Sequence, residues 1–204
     1  MEDYTQYQPE GFKLPELPKE AKEKLDAMKV KLDKVSKAIT KDNKDIMGVA
    51  LLPPSKIHPE DRLTPQEVEK LKQRINVLVV IYVETNKYWA VLRDKIIKNT
   101  IKKANEVDEN IHVTVMDVAE VRENCYDGKG EILEMIAAGA ALYDPKDFLG
   151  AIKISEVHKN MVLKKFDKYI VSYVAVGSLF RGDATSHDID VAVVIDDTDV
   201  KKMT

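Results

Sequence analysis

Two aspartates, Asp188 and Asp190, stand at i and i+2 at the head of the apolar run Val191-Ala192-Val193-Val194-Ile195. Side chains two apart on a strand leave the same face, roughly 6.5–7 Å apart along the chain. Both carboxylates are therefore expected to project together from one strand end. A second apolar run, Ile170-Val171-Ser172-Tyr173-Val174-Ala175-Val176, stops at Gly177-Ser178, and the polar stretch Leu179–His187 joins the two. Neighbouring carboxylates repel unless a cation lies between them, so the pair is a candidate site for a hard divalent ion. Mg2+ (or Mn2+) is usually held by one or two carboxylates together with the phosphates of a substrate. Where two such ions act, they sit about 3.5–4 Å apart, one activating the attacking oxygen and one stabilising the leaving oxygen. Gly177 lets backbone approach a phosphate closely. Ser178 at a helix start offers a hydroxyl and N–H groups at the positive helix end, and Arg181 can fork onto phosphate oxygens. The competing reading is an ordinary connection with a solvated Asp pair, since Asp-rich turns are common.

Gly177-Ser178, nine further residues, Asp188-Ile189-Asp190 and an apolar strand together resemble the nucleotidyltransferase superfamily that includes DNA polymerase beta. The string GSLFRGDATSHDIDVAVV, beginning at Gly177, is most similar to the minimal and kanamycin-nucleotidyltransferase-like branch. The resemblance implies that Gly177, Ser178 and Arg181 bind nucleotide phosphates. It also implies that Asp188 and Asp190 are catalytic and metal-binding, as two of three family carboxylates. The implied activity is transfer of a nucleoside monophosphate from an NTP to a hydroxyl, with two Mg2+ and release of pyrophosphate. RNA, protein and small molecules are all open as the acceptor. The third carboxylate of the family lies on a later strand, and Thr204 is reached before one can form. The expectation is therefore the first half of an active-type domain, cut from a longer protein. A non-catalytic nucleotide-binding or regulatory module, or an assembly scaffold, is the alternative.

The elements that must position these residues repeat an earlier part of the chain. Ile75-Asn76-Val77-Leu78-Val79-Val80-Ile81 matches Ile189-Asp190-Val191-Ala192-Val193-Val194-Ile195 at five of seven positions, with Asn76 at the place of Asp190 and Arg74 at that of Asp188. Such self-similarity points to an internal repeat. Around it the spacing predicts a strand at Ile46–Leu52 and a helix from Pro65 to about Arg74, opened by the capping box Thr64-Pro65-Gln66-Glu67. A helix over Lys87–Asn105 follows, with Tyr88, Leu92, Ile96, Ile101 and Ala104 near one stripe. Then come a strand at Ile111–Val115 and a helix at Glu131–Ala138 leading to Gly139-Ala140-Ala141-Leu142-Tyr143-Asp144. This order resembles the closing half of a minimal nucleotidyltransferase domain. As a copy it is degenerate: Leu52-Pro53-Pro54-Ser55 replaces Gly-Ser, Arg74 and Asn76 replace the aspartates, and His112 stands at the third carboxylate's place. An arginine among metal ligands repels a divalent cation, so this copy is expected to be inactive.

Three parts result: residues 1–44, an arm and an amphipathic helix; residues 45–150, the degenerate domain; and residues 151–204, the half-domain with the acids. The fold class is a mixed-sheet α/β (α+β) nucleotidyltransferase-like fold. In the first part Ala21, Leu25, Met28, Leu32, Val35 and Ile39 form one helical stripe. It is too short for a coiled coil, so packing on the body or on a partner domain is expected, with helix-mediated self-association or further C-terminal sequence also open. In the last part a helix over Ile154–Tyr169 offers Ile154, Val157, Met161, Leu163 and Phe166 for packing.

Composition bounds the partners. The 204 residues are 33% charged and 44% hydrophobic, as in a soluble globular protein. A formal net charge of −3 does not mark a general nucleic-acid binder. The lone Cys125 excludes an intramolecular disulfide and any cysteine-cluster zinc site. No secretory signal or long apolar stretch is present, so a cytoplasmic location without membrane partners is expected. His58, His158 and His187 lack paired ligand spacing, and Tyr88 and Trp89 are expected to pack core or interface surface.

Overall fold

Short β-branched runs, framed by amphipathic helices, give a mixed α/β chain. The computed structural model describes residues 18–41, 43–55, 57, 60–83, 87–126, 130–177 and 188–196. In chain order the elements are α1 (Lys19–Thr40), β1 (Ile46–Leu51), α2 (Pro65–Gln73), β2 (Ile75–Ile81), α3 (Trp89–Val107), β3 (Ile111–Asp117) and α4 (Val118–Tyr126). They continue with α5 (Gly130–Ala138), β4 (Ala140–Tyr143), α6 (Phe148–Phe166), a 3-10 turn (Asp167–Tyr169), β5 (Ile170–Val176) and β6 (Asp190–Ile195). The arm expected over residues 1–17 lies outside the described residues, as do His58, His187 and the acidic turn after Asp196.

Strands β3-β2-β1-β4 form one sheet in that order, with β2 and β3 parallel and the other neighbours antiparallel. Its β2 is buried on both faces, which is why it reads as a continuous apolar run. On one face Val49, Val77 and Val79 pack with Leu32, Val35 and Ile39 of α1 and Ile96 and Ala104 of α3. On the other, Met47, Ala50, Leu78 and Val80 pack with Val121 of α4, Ile136 of α5, and Phe148, Leu149 and Ile152 of α6. Helix α1 thus packs on the protein's own body, although Leu25, at the start of its stripe, is exposed. The capping box of α2 is present: the Thr64 hydroxyl accepts from the Glu67 N–H, and the Glu67 carboxylate accepts from the Thr64 N–H at 2.7 Å.

Four expectations need correction. Helix α6 starts at Phe148 rather than Ile154, because Asp144 accepts the Gly150 N–H at 2.8 Å and secures an earlier first turn. Its buried face is Phe148, Leu149, Ala151, Ile152, Ser155 and Glu156, while Ile154, Val157 and Met161 are exposed. Residues on either side of position 150 consequently share one core. In α3 the buried line is Ile96, Thr100 and Ala104, one turn apart, and Tyr88, Leu92 and Ile101 face outward. Helix α4 was not expected at all; Asp117 caps it by accepting the Ala119 N–H at 2.8 Å.

The second sheet is the antiparallel hairpin β5–β6. Its pairing reproduces that of β1–β2 position by position. The pairs Gly48–Val80, Val49–Val79, Ala50–Leu78 and Leu51–Val77 correspond to Ser172–Val194, Tyr173–Val193, Val174–Ala192 and Ala175–Val191. Both strand pairs slip register at the same place, between Ile46 and Gly48 in β1 and between Ile170 and Ser172 in β5. Both also close with one equivalent backbone bond of 2.8 Å, Tyr82 N–H to Asp45 O and Asp196 N–H to Tyr169 O. The sequence match concerned only β2 and β6; the strands opposite them and the shared irregularity are independent of it.

Candidate functional site

The end of the β5–β6 pair where β5 finishes and β6 begins carries the acids. Val176 pairs with Asp190 across the ladder, so the bend after β5 and the start of β6 are side by side. Gly177 adopts φ +113°, a conformation open to glycine and strained for other residues. A Cβ on Gly177 would lie 2.8 Å from Asp190 Oδ2 and 3.6 Å from its Cγ. The carboxylate therefore rests against the glycine backbone, and the conformation calls for a residue without a side chain. Asp188 and Asp190 are exposed while Ile189 between them is partly buried, the alternation expected when both acids leave one side of an extended segment. Ser178 and Arg181 lie outside the described residues.

The hairpin is held to the rest of the chain through Tyr173. Its hydroxyl lies 2.8 Å from His158 Nδ1 and donates to the Ser155 carbonyl at 3.3 Å, tying the middle of β5 to α6. Burial, with Glu156 nearby, pushes the phenol pKa up, so it stays a neutral donor. No motif marked this contact in advance; a tyrosine on a strand and a histidine on a helix carry no shared spacing.

At the equivalent end of β1–β2 the chemistry is different. The Leu52 N–H bonds to the Asn76 carbonyl at 2.9 Å, placing Leu52 where Val176 stands and Pro53 where Gly177 stands. Asn76 Nδ2 donates to the Pro53 carbonyl at 3.3 Å and to Ser55 Oγ at 3.2 Å. Asn76 thus touches the same segment that Asp190 touches in the second hairpin. His112 sits beside Asn76 in the parallel β2–β3 ladder. Burial, with the Arg74 charge close by, holds its imidazole below the ordinary value.

As a donor set, the two exposed carboxylates fit one hard divalent ion that brings phosphate oxygens of its own. Among the described residues no group of three or more His, Cys, Asp or Glu side chains gathers. No described helix is long and apolar enough to cross a membrane. No protein-family model, curated protein or solved structure matches the chain.

Proposed function

We propose that the chain carries two copies of a nucleotidyltransferase-like unit, a degenerate one containing β1–β2 and an acid-bearing one containing β5–β6. The second moves a nucleoside monophosphate from an NTP to a hydroxyl acceptor. The observation that carries this reading is the Asp190 carboxylate lying against Gly177, where a Cβ would stand 2.8 Å from Oδ2. A phosphate drawn to the glycine bend would be met by the acid's cation at the same place. Asp188 and Asp190 would hold Mg2+ or Mn2+, which supplies charge neutralisation for the triphosphate. The Gly177 bend would admit the phosphate chain without a side chain in the way, and Ser178 and Arg181 are the proposed phosphate partners. In the reaction the acceptor oxygen bonds to the α-phosphorus, the bond to the pyrophosphate oxygen breaks, and the hydroxyl proton leaves to solvent. Positioning and charge supply most of the rate in such chemistry.

The test is pyrophosphate release from a panel of NTPs with Mg2+, offered RNA, protein and aminoglycoside-like hydroxyl acceptors in turn. Turnover that disappears in Asp190→Asn supports the assignment, and turnover unchanged by it refutes the assignment. A second reading, a module that binds nucleotide without turning it over, is favoured by the donor set itself: two carboxylates suffice for one ion arriving with its nucleotide. Calorimetric binding of ATP–Mg2+ without pyrophosphate release would select it.

A further inference from the structure

The β1–β2 pair has its own version of the acid-bearing end, and there the charge is inverted. By register Arg74 and Asn76 occupy the places of Asp188 and Asp190. Arg74 is extended, at φ −70° and ψ 131°, so it and Asn76 share a face with Leu78 and Val80. His112, the β3 neighbour of Asn76 in the parallel ladder, joins them on that face. Ser55 accepts from Asn76 at 3.2 Å, which leaves its own O–H proton free to be aimed elsewhere. Arg74 Nε is buried and meets no acceptor among the described residues. A buried charged donor without an acceptor is costly until one arrives.

We propose that Arg74, Ser55 and His112 form an anion site for a phosphate-bearing small molecule, one that works without a divalent cation, with Asn76 holding Ser55 in place. The guanidinium takes over the positive charge that the ion would bring to Asp188 and Asp190, and its forked donors match phosphate oxygens. Turning the half-buried guanidinium outward onto an oxyanion would relieve the mismatch at Nε. The charge beside His112 is neutralised at the same time, so that its imidazole protonates more readily when the site is filled. A nucleotide's phosphate tail and free pyrophosphate share the required chemistry.

The full chain, in EDTA, is titrated with inorganic pyrophosphate and separately with ATP, while the His112 imidazole resonances are followed by NMR. Saturable shifts, with the His112 pKa raised at saturation, are expected. Arg74→Gln should weaken binding by roughly tenfold or more, since a charge-assisted contact is lost. Tighter binding of ATP than of pyrophosphate assigns the site to nucleotides, and equal binding assigns it to the polyphosphate group alone. Saturation that leaves His112 unmoved, or affinity that survives Arg74→Gln, overturns the proposal. Should Arg74→Gln fail to fold, the exposed Ser55→Ala replaces it, and undiminished affinity in that variant is equally fatal. Because no divalent ion is present and the signal comes from His112, failure here is separable from failure of nucleotidyl transfer at Asp188 and Asp190.

Discussion

Replacing Gly177 by alanine probes the geometry on which the acid-bearing site depends. At φ +113° an L-residue is strained by about 1–3 kcal/mol. The new Cβ would stand 2.8 Å from Asp190 Oδ2, well inside contact distance. The atom it meets is the tip of an exposed side chain, so Asp190 can rotate away at about 0.5–1.5 kcal/mol. The backbone cost therefore dominates, and the sum is about 2–4 kcal/mol. It falls on β5–β6, a sheet apart from the four-stranded one. Amides of the Val176–Asp190 pairing should exchange faster in Gly177→Ala, while the unfolding midpoint of the main core moves little. The rotated carboxylate no longer rests beside the bend, so affinity for Mn2+–ATP should drop by roughly tenfold or more, about 1.4 kcal/mol per tenfold. Hydrogen exchange and Mn2+ electron paramagnetic resonance read the two effects separately. Wild-type affinity in an alanine variant whose hairpin has loosened would refute the claim that the bend and the acid act together.

Phe148→Ala, at a residue 1% exposed, should cost about 3–5 kcal/mol in urea unfolding, placing the first turn of α6 in the main core. Val79→Ala should cost about 1.5–3 kcal/mol and Val193→Ala under about 1 kcal/mol, the two residues being 0% and 40% exposed; equal costs would contradict the burial described. Burial raises the Asp144 carboxyl above its ordinary value despite the N–H bonds it accepts at the start of α6. A carboxyl with a raised folded-state pKa favours folding most when protonated. The stability of the wild type relative to Asp144→Asn should therefore fall as pH rises from about 4, and urea midpoints across that range check the sign. Asp188→Asn should weaken Mn2+ binding in the same assay that reads Gly177→Ala, with no change in the unfolding of the main core.

Much of the fold was legible because the signals were local. The capping box at Thr64 and Glu67 marks the start of α2, and the shortness and β-branched content of Ile75–Ile81 mark a buried strand. The limits of α1 follow from a four-and-three stripe ending at Ile39. What was not legible depended on partners distant in sequence. Ile154, Val157 and Met161 have helical spacing, yet Phe148, Leu149 and Ile152 are buried instead, because Gly48 lets α6 approach β1: a Cβ there would meet Leu149 Cδ1 at 2.8 Å. Helix α4 spans only nine residues and draws its start from the Asp117 cap, a signal that Asp in any turn would share. At the site, the adjacency of Gly177 and Asp190 could be expected from spacing. Its tether through Tyr173, His158 and Ser155 could not, since it joins three residues with no common period.

The two strand pairs also separate what sequence decides from what surroundings decide. The valines at equivalent places in β2 and β6 pair through the same register, with the same slip near the closing isoleucines. Pairing is thus specified within each hairpin. Burial is not: Val77, Val79, Val80 and Ile81 are 0% exposed, whereas Val191, Val193, Val194 and Ile195 are 37–51% exposed. The difference lies in neighbours. The outer edge of β2 is paired with β3, one of its faces is covered by α1 and α3, and the other by α4, α5 and α6. Described contacts of β6 run chiefly to β5. At the polar ends the roles reverse: Asn76 spends its amide on Pro53 and Ser55, while Asp190 stays exposed beside Gly177. An amide donates to its neighbours' carbonyl and hydroxyl oxygens, whereas a carboxylate cannot. The shared register thus ends in Asn76 bonded to Pro53 and Ser55 in one pair, and in Asp190 exposed beside Gly177 in the other.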